Sequence, residues 1–156
     1  MALTPSKFDK TVQFMARGGA SGTGLLLNAD TIKLAFYTAA VAPAVTDVTY
    51  ATTLAGGSIE VGAGVGYTVG GMTCGAGVTA QSPAGTENLK VTSNPSVVTA
   101  SGAGFSVRYF VIYDSTPATN NLLLFWDYTS TLTLSGANSD TLTITFVTAL
   151  TYATLA

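Results

Sequence analysis

Polar and apolar residues alternate most clearly in the second half of the chain. In FSVRYFVIYD (105–114), Val107, Tyr109, Val111 and Tyr113 share one face of an extended strand, and Arg108, Phe110, Ile112 and Asp114 the other. Successive strand side chains point to opposite faces, so a strand that is apolar on both faces at its centre must be covered on both. One cover is the core. The other is a helix, a loop or another subunit. NLLLFWDY (121–128) follows after STPATN, a turn with Pro117 inside it, so the pair predicts a hairpin. A turn symmetric about 117–118 makes paired residue numbers sum to 235. Arg108 then meets Asp127 as a structural ion pair, and Tyr109–Trp126 and Phe110–Phe125 become aromatic pairs.

DTIKLAFYT (30–38) alternates too, with Ile32, Leu34 and Phe36 on one side and Lys33, Ala35 and Tyr37 on the other. Shorter candidate strands lie at 57–61, 65–69, 72–80, 87–93, 95–100, 130–135 and 140–148, and 150–155 adds a last edge. Residues 39–57 read as a long connection turning at Pro43. Short strands at this spacing predict an all-β fold, an antiparallel sandwich or barrel.

The N-terminus has a different period. Ser6 and Asp9 have the spacing of a capping box, and Phe8, Val12 and Met15 recur at i, i+4 and i+7. Gly18 and Gly19 end the pattern, and Arg17 suits the negative end of a helix dipole. This predicts one short helix over 6–17, with Phe14 off its apolar face. Small residues at 18–24 separate it from the first long strand, which makes the helix a candidate attachment element. The expected organisation is a helix and flexible connector at 1–24 and a single β-sandwich domain at 25–156.

Composition narrows the chemistry. Of 156 residues, 47% are hydrophobic and only 9% charged, which excludes disorder for the bulk and leaves a surface of Thr, Ser, Asn and Gly. The net charge of −2 offers no basic patch for phosphates, so no nucleic-acid partner is expected. So little charge gives weak colloidal repulsion, which suggests that much of the surface is buried in an assembly. No apolar run reaches the ~18–20 residues of a membrane span, so no membrane partner is expected. Cys74 is the single cysteine, so no intrachain disulfide forms, and folding in a cytoplasm is expected. The chain has no histidine, which removes Ser-His-Asp and Cys-His nucleophile systems and histidine metal sites.

Nine of the 17 glycines fall between Gly56 and Gly77. A phosphate loop needs glycines between a strand and a helix, or a Gly-Lys-Ser/Thr run. Here Val69 takes the place of the third glycine, and residues 61–86 carry no charged side chain. The run reads as bends and close backbone approaches in a sheet. Tyr67, between glycines, is a candidate surface contact. The eight carboxylates are scattered singly, with no calcium-loop spacing. No catalytic residue, metal or cofactor is expected, and the chain reads as a non-enzyme.

Taken in order, KFDKTVQFMA, DTIKLAFYT, GVGYTVGG, FSVRYFVIYDSTPATNNLLLFWDY and a Thr-rich closing hairpin resemble small structural proteins of tailed bacteriophages. The likeness spans roughly residues 6–147. It implies a jelly-roll-like β-sandwich acting as a capsid cement or decoration protein on the outside of the shell. Its partner would be the major capsid protein. It would be a homo-oligomer, a trimer favoured, made in the host cytoplasm and placed on the virion surface. Phe8, Val12, Phe14, Met15 and Tyr67 are then the candidate interface residues. The alternative within this likeness is a tail or fibre component of the virion that binds host glycan.

Overall fold

The computed structural model describes residues 6–10, 30–74, 78–81, 86–91, 96–145 and 150–154. These residues form ten strands in antiparallel sheets, with no helix among them. The strands are β1 (Ser6–Lys7), β2 (Ile32–Tyr37), β3 (Met72–Thr73), β4 (Val78–Gln81), β5 (Thr86–Val91), β6 (Ser96–Thr99), β7 (Phe105–Asp114), β8 (Asn121–Leu134), β9 (Thr141–Ile144) and β10 (Leu150–Thr154). A five-stranded sheet has the order β1-β8-β7-β2-β3. Beside it stand a three-stranded sheet, β10-β5-β4, and the pair β6-β9.

The long hairpin β7–β8 is the centre of the large sheet, and its apolar residues fill both faces. On one face Ile32, Leu34, Phe36, Val107, Phe110, Ile112, Leu124 and Trp126 join Val61, Tyr67, Cys74, Val98 and Ala100 in the larger core. Leu142 and Ile144 of β9 pack against it. On the other face Ala35, Tyr37, Tyr109, Val111, Tyr113, Leu122 and Phe125 pack with Phe8 and Leu54. The second cover expected from the sequence is therefore a loop, 39–60, together with Phe8. Backbone bonds hold this loop against the start of β8: Leu122 N–H donates to Val48 C=O at 2.9 Å and Tyr50 N–H to Asn120 C=O at 2.8 Å.

Three expectations are corrected. The helix over 6–17 does not begin at Ser6, because Ser6 and Lys7 are extended and pair with Phe125 and Leu124. Val12, Phe14 and Met15, and the connector through 24, lie outside the described residues. The hairpin register sums to 235 only beside the turn, at Tyr113–Leu122 and Asp114–Asn121. An extra residue in β8, Leu123, shifts it to Tyr109–Asp127, Phe110–Trp126 and Val111–Phe125, so the expected aromatic pairs do not form. A second irregularity between Val107 and Tyr109 moves the register again, to Val107–Leu132. A bulge reverses which face the next residues occupy. That is why Val107 sits with Phe110 and Ile112 and not with Tyr109. Lastly, 65–69 is not a strand, and 57–61 contributes only isolated bridges, Thr53–Ile59 and Tyr37–Glu60.

Candidate functional site

The densest polar cluster is built on Glu60, which lies where the 39–60 loop returns to the edge of β2. Glu60 N–H donates to Thr52 C=O, and the next residue, Val61, donates to Phe36 C=O, both at 2.8 Å. This places the Glu60 side chain under the glycine-rich segment. Its Oε1 accepts the Tyr67 hydroxyl at 2.6 Å and the Gly70 N–H at 2.9 Å, and its Oε2 accepts the Tyr50 hydroxyl at 2.5 Å. The Tyr67 oxygen also accepts the Phe36 N–H at 3.1 Å. Glu60 is 5% exposed, so a carboxylate that would be costly alone is satisfied by three donors.

Aromatic rings close the cluster. Tyr50 stacks on Tyr113 with centroids 4.1 Å apart and planes 8° from parallel. The Tyr113 hydroxyl donates to Gly70 C=O and the Tyr37 hydroxyl to Ala51 C=O, each at 2.6 Å. Burial first, then the nearby Glu60 charge, pushes the Tyr113 phenol up to about 12. The same burial raises Tyr37, Tyr50 and Tyr67 further, and the hydroxyls of Tyr50 and Tyr67 are also held as donors to Glu60. All four stay protonated at any physiological pH.

The glycines permit this arrangement. Gly66 and Gly71 have φ of +87° and +71°, in the left-handed region. A side chain at Gly66 would collide with the Thr99 carbonyl, and one at Gly71 with the Leu34 carbonyl. The segment therefore lies directly on neighbouring backbone. At these two positions it acts as a clasp, seated on the backbone of β6 and β2.

Chemically the cluster is closed. Both Glu60 oxygens are occupied, and the Tyr50 and Tyr67 phenols that face this carboxylate are held as its hydrogen-bond donors. Among the described residues no group of three or more His, Cys, Asp or Glu side chains could hold a metal. Cys74 is buried and its thiol is pushed up to about 12, so it is not an activated thiolate.

Of the candidate interface residues, Phe8 and Tyr67 are among the described ones, and both are buried. Phe8 is buried to 1% against Phe125, with centroids 5.2 Å apart, and Tyr67 is buried to 4% in the clasp. Both are core residues of this chain, because the hairpin and Glu60 supply partners that a surface contact would lack. Arg108 and Asp127 do meet: Nε and Nη2 donate to Oδ1 and Oδ2 at 2.8 and 2.9 Å. The guanidinium also lies 5.2 Å from the Tyr109 ring centre. This pair is about one-third exposed and joins the strands at the outer side of the second bulge. The bond to Arg108 holds the Asp127 carboxyl below its ordinary value.

Sequence reasoning missed the surface that these loops present. Val41, Val45, Val48, Ile59 and Val69 are exposed apolar residues on the 39–60 loop and the glycine-rich segment, and Val97 on β6 is 57% exposed. No periodicity marks those of the two loops, since they lie on irregular chain, whereas Val97 is an outward position of the alternating strand β6. Compared with protein-family models, curated proteins and solved structures, the chain matches none at a significant level.

Proposed function

We propose that the chain is a structural protein of a tailed-bacteriophage particle, a cement or decoration protein that binds the outside of the capsid and stabilises it. The observation that carries this reading is the chemistry of the exposed surface. Three of the eight carboxylates, Asp47, Glu60 and Asp114, are buried within the chain, which removes charge from an already scarcely charged exterior. What remains is mostly Thr, Ser and Ala with exposed valines and few charges, among them Asp9, Lys10 and the mutually paired Arg108 and Asp127, a surface that can be buried against a partner with little stranded charge. The sequence resemblance to phage structural proteins supports the same reading.

The finer fold belongs to the proposal. Val98, Leu142 and Ile144 of the β6-β9 pair join the larger core of the large sheet, which supports a jelly-roll-like sandwich. The working unit is a homo-oligomer, a trimer, whose copies bridge several major capsid protein subunits at once. A patch of roughly 800 Å² per partner gives moderate affinity, and simultaneous engagement multiplies it.

The alternative, a glycan-binding tail or fibre component, has less support. Sugar binding uses exposed aromatic platforms, and among the described residues no aromatic side chain is exposed. The test is reconstitution. Particles made without the protein are supplied with it in about 1 M salt, where surface charge is screened within ~3 Å. Shell occupancy and a raised temperature of DNA release are the expected results. Absence of shell binding overturns the proposal, and attachment at the tail alone supports the alternative.

A further inference from the structure

Asp114 ends β7 and is 0% exposed. Its Oδ1 accepts the Thr116 N–H at 2.9 Å, while its Oδ2 has no hydrogen-bond partner. The antiparallel register sets Ile32 opposite Asp114. Asp30, two residues before Ile32 at the entry to β2, lies near enough for its side chain to act on Asp114. The two chain segments are tied tightly here. Ser115 donates from both N–H and hydroxyl to Thr31 C=O at 2.9 Å, and Thr31 N–H donates to Thr116 Oγ1 at 2.6 Å. Across β8 the partner of Asp114 is Asn121, which is neutral. The charged side chain that raises Asp114 is Asp30.

We propose that Asp30 and Asp114 are a proton-sharing carboxyl pair that fastens the entry of β2 to the end of β7 at acidic pH and loosens it toward neutrality. The half-buried Asp30 carboxylate and the buried Asp114 carboxylate repel when both are ionised, and one proton removes the conflict by letting Asp114 Oδ2 donate to Asp30. Burial, with the Asp30 charge adding to it, pushes the Asp114 carboxyl up from 3.8 to about 6, against the opposing bond from Thr116 N–H. The folded chain then holds this proton more tightly than the unfolded chain. The contribution of the pair is complete below about pH 4 and is lost as the pH rises to about 6. A divalent cation between the carboxylates is the other way to relieve the repulsion. The proton is preferred because no third acid joins the pair among the described residues.

The direct test is a pH titration of the full chain, following the Asp114 carboxyl carbon by NMR. The expected midpoint is near 6 and moves down in Asp30→Asn. Denaturant unfolding of wild type and Asp114→Asn between pH 4 and 7 adds a second readout. The ratio of their unfolding constants should change by up to roughly a hundredfold, with the variant favoured at the higher pH. Amide exchange at Thr31, Ser115 and Thr116, corrected for its intrinsic pH dependence, should be faster at neutral pH. A midpoint at or below 4, or a flat ratio, overturns the proposal. So does calcium restoring at neutral pH the stability that acid gives, since the pair is then a cation site.

Discussion

A carboxylate seven residues from a tyrosine carries no visible pattern in a sequence, yet Glu60 and Tyr67 depend directly on one another in the fold. Tyr67→Phe removes a donor to Glu60 and leaves the buried Phe36 N–H without its acceptor. The expected cost is about 1–3 kcal/mol in denaturant unfolding. Glu60→Gln should cost a similar amount, because an amide nitrogen cannot accept a tyrosine hydroxyl. A cost near zero for both would mean that water replaces the clasp. The ion pair Arg108–Asp127 makes a contrast, because the sequence brings its residues together, although Asp127 is set opposite Tyr109 and not Arg108, but its energy is small. An exposed pair couples by about 0.2–1 kcal/mol, so a double-mutant cycle should give no more than that and should weaken with salt. Ease of recognition in the sequence and energetic weight thus diverge, since the former follows local spacing and the latter follows burial.

The strands 32–37 and 105–114 were legible because their alternation is long enough to exclude a helix. The N-terminal segment was not. Phe8, Val12 and Met15 satisfy a helical period, and Phe8 satisfies equally well a short edge strand that buries one ring. The outcome depends on Phe125, far along the chain, which supplies the facing ring. Phe8→Ala is accordingly expected to destabilise the fold by about 3–5 kcal/mol, measured by thermal or denaturant unfolding. An effect below 1 kcal/mol would show that the β1 contact is dispensable. The hairpin register failed for another reason. Two bulges, at Leu123 and beside Arg108, add residues to one strand, and no residue type in NLLLFWDY announces them. The glycine run was legible as structure but not as a clasp. Gly66→Ala combines a left-handed backbone with a collision at the Thr99 carbonyl, so a loss of about 1–3 kcal/mol or more is expected.

At the scale of the whole molecule, the tyrosines link elements distant in sequence into one unit. Tyr37 comes from β2, Tyr50 from the 39–60 loop, Tyr67 from the glycine-rich segment and Tyr113 from β7, and all four are wholly or partly buried around Glu60. Burial raises each phenol above its ordinary value of 10, with Tyr113 reaching about 12 and the others going higher. The linkage follows from that direction. The unfolded chain releases these protons near pH 10, while the folded chain retains them, so stability is present below pH 10 and falls as the pH rises beyond it. Because the four rings share one cluster, none can ionise without opening the loops that cover the others. Alkaline unfolding should therefore be a single cooperative step, with the phenolate absorbance of these tyrosines rising together with the loss of the β-sheet circular dichroism. Tyr67→Phe has one phenol fewer in the cluster, and its transition should carry a correspondingly smaller absorbance change. A gradual phenolate signal near pH 10 over an intact dichroism spectrum would mean that these rings open to water one at a time, and the cluster would not be a cooperative unit.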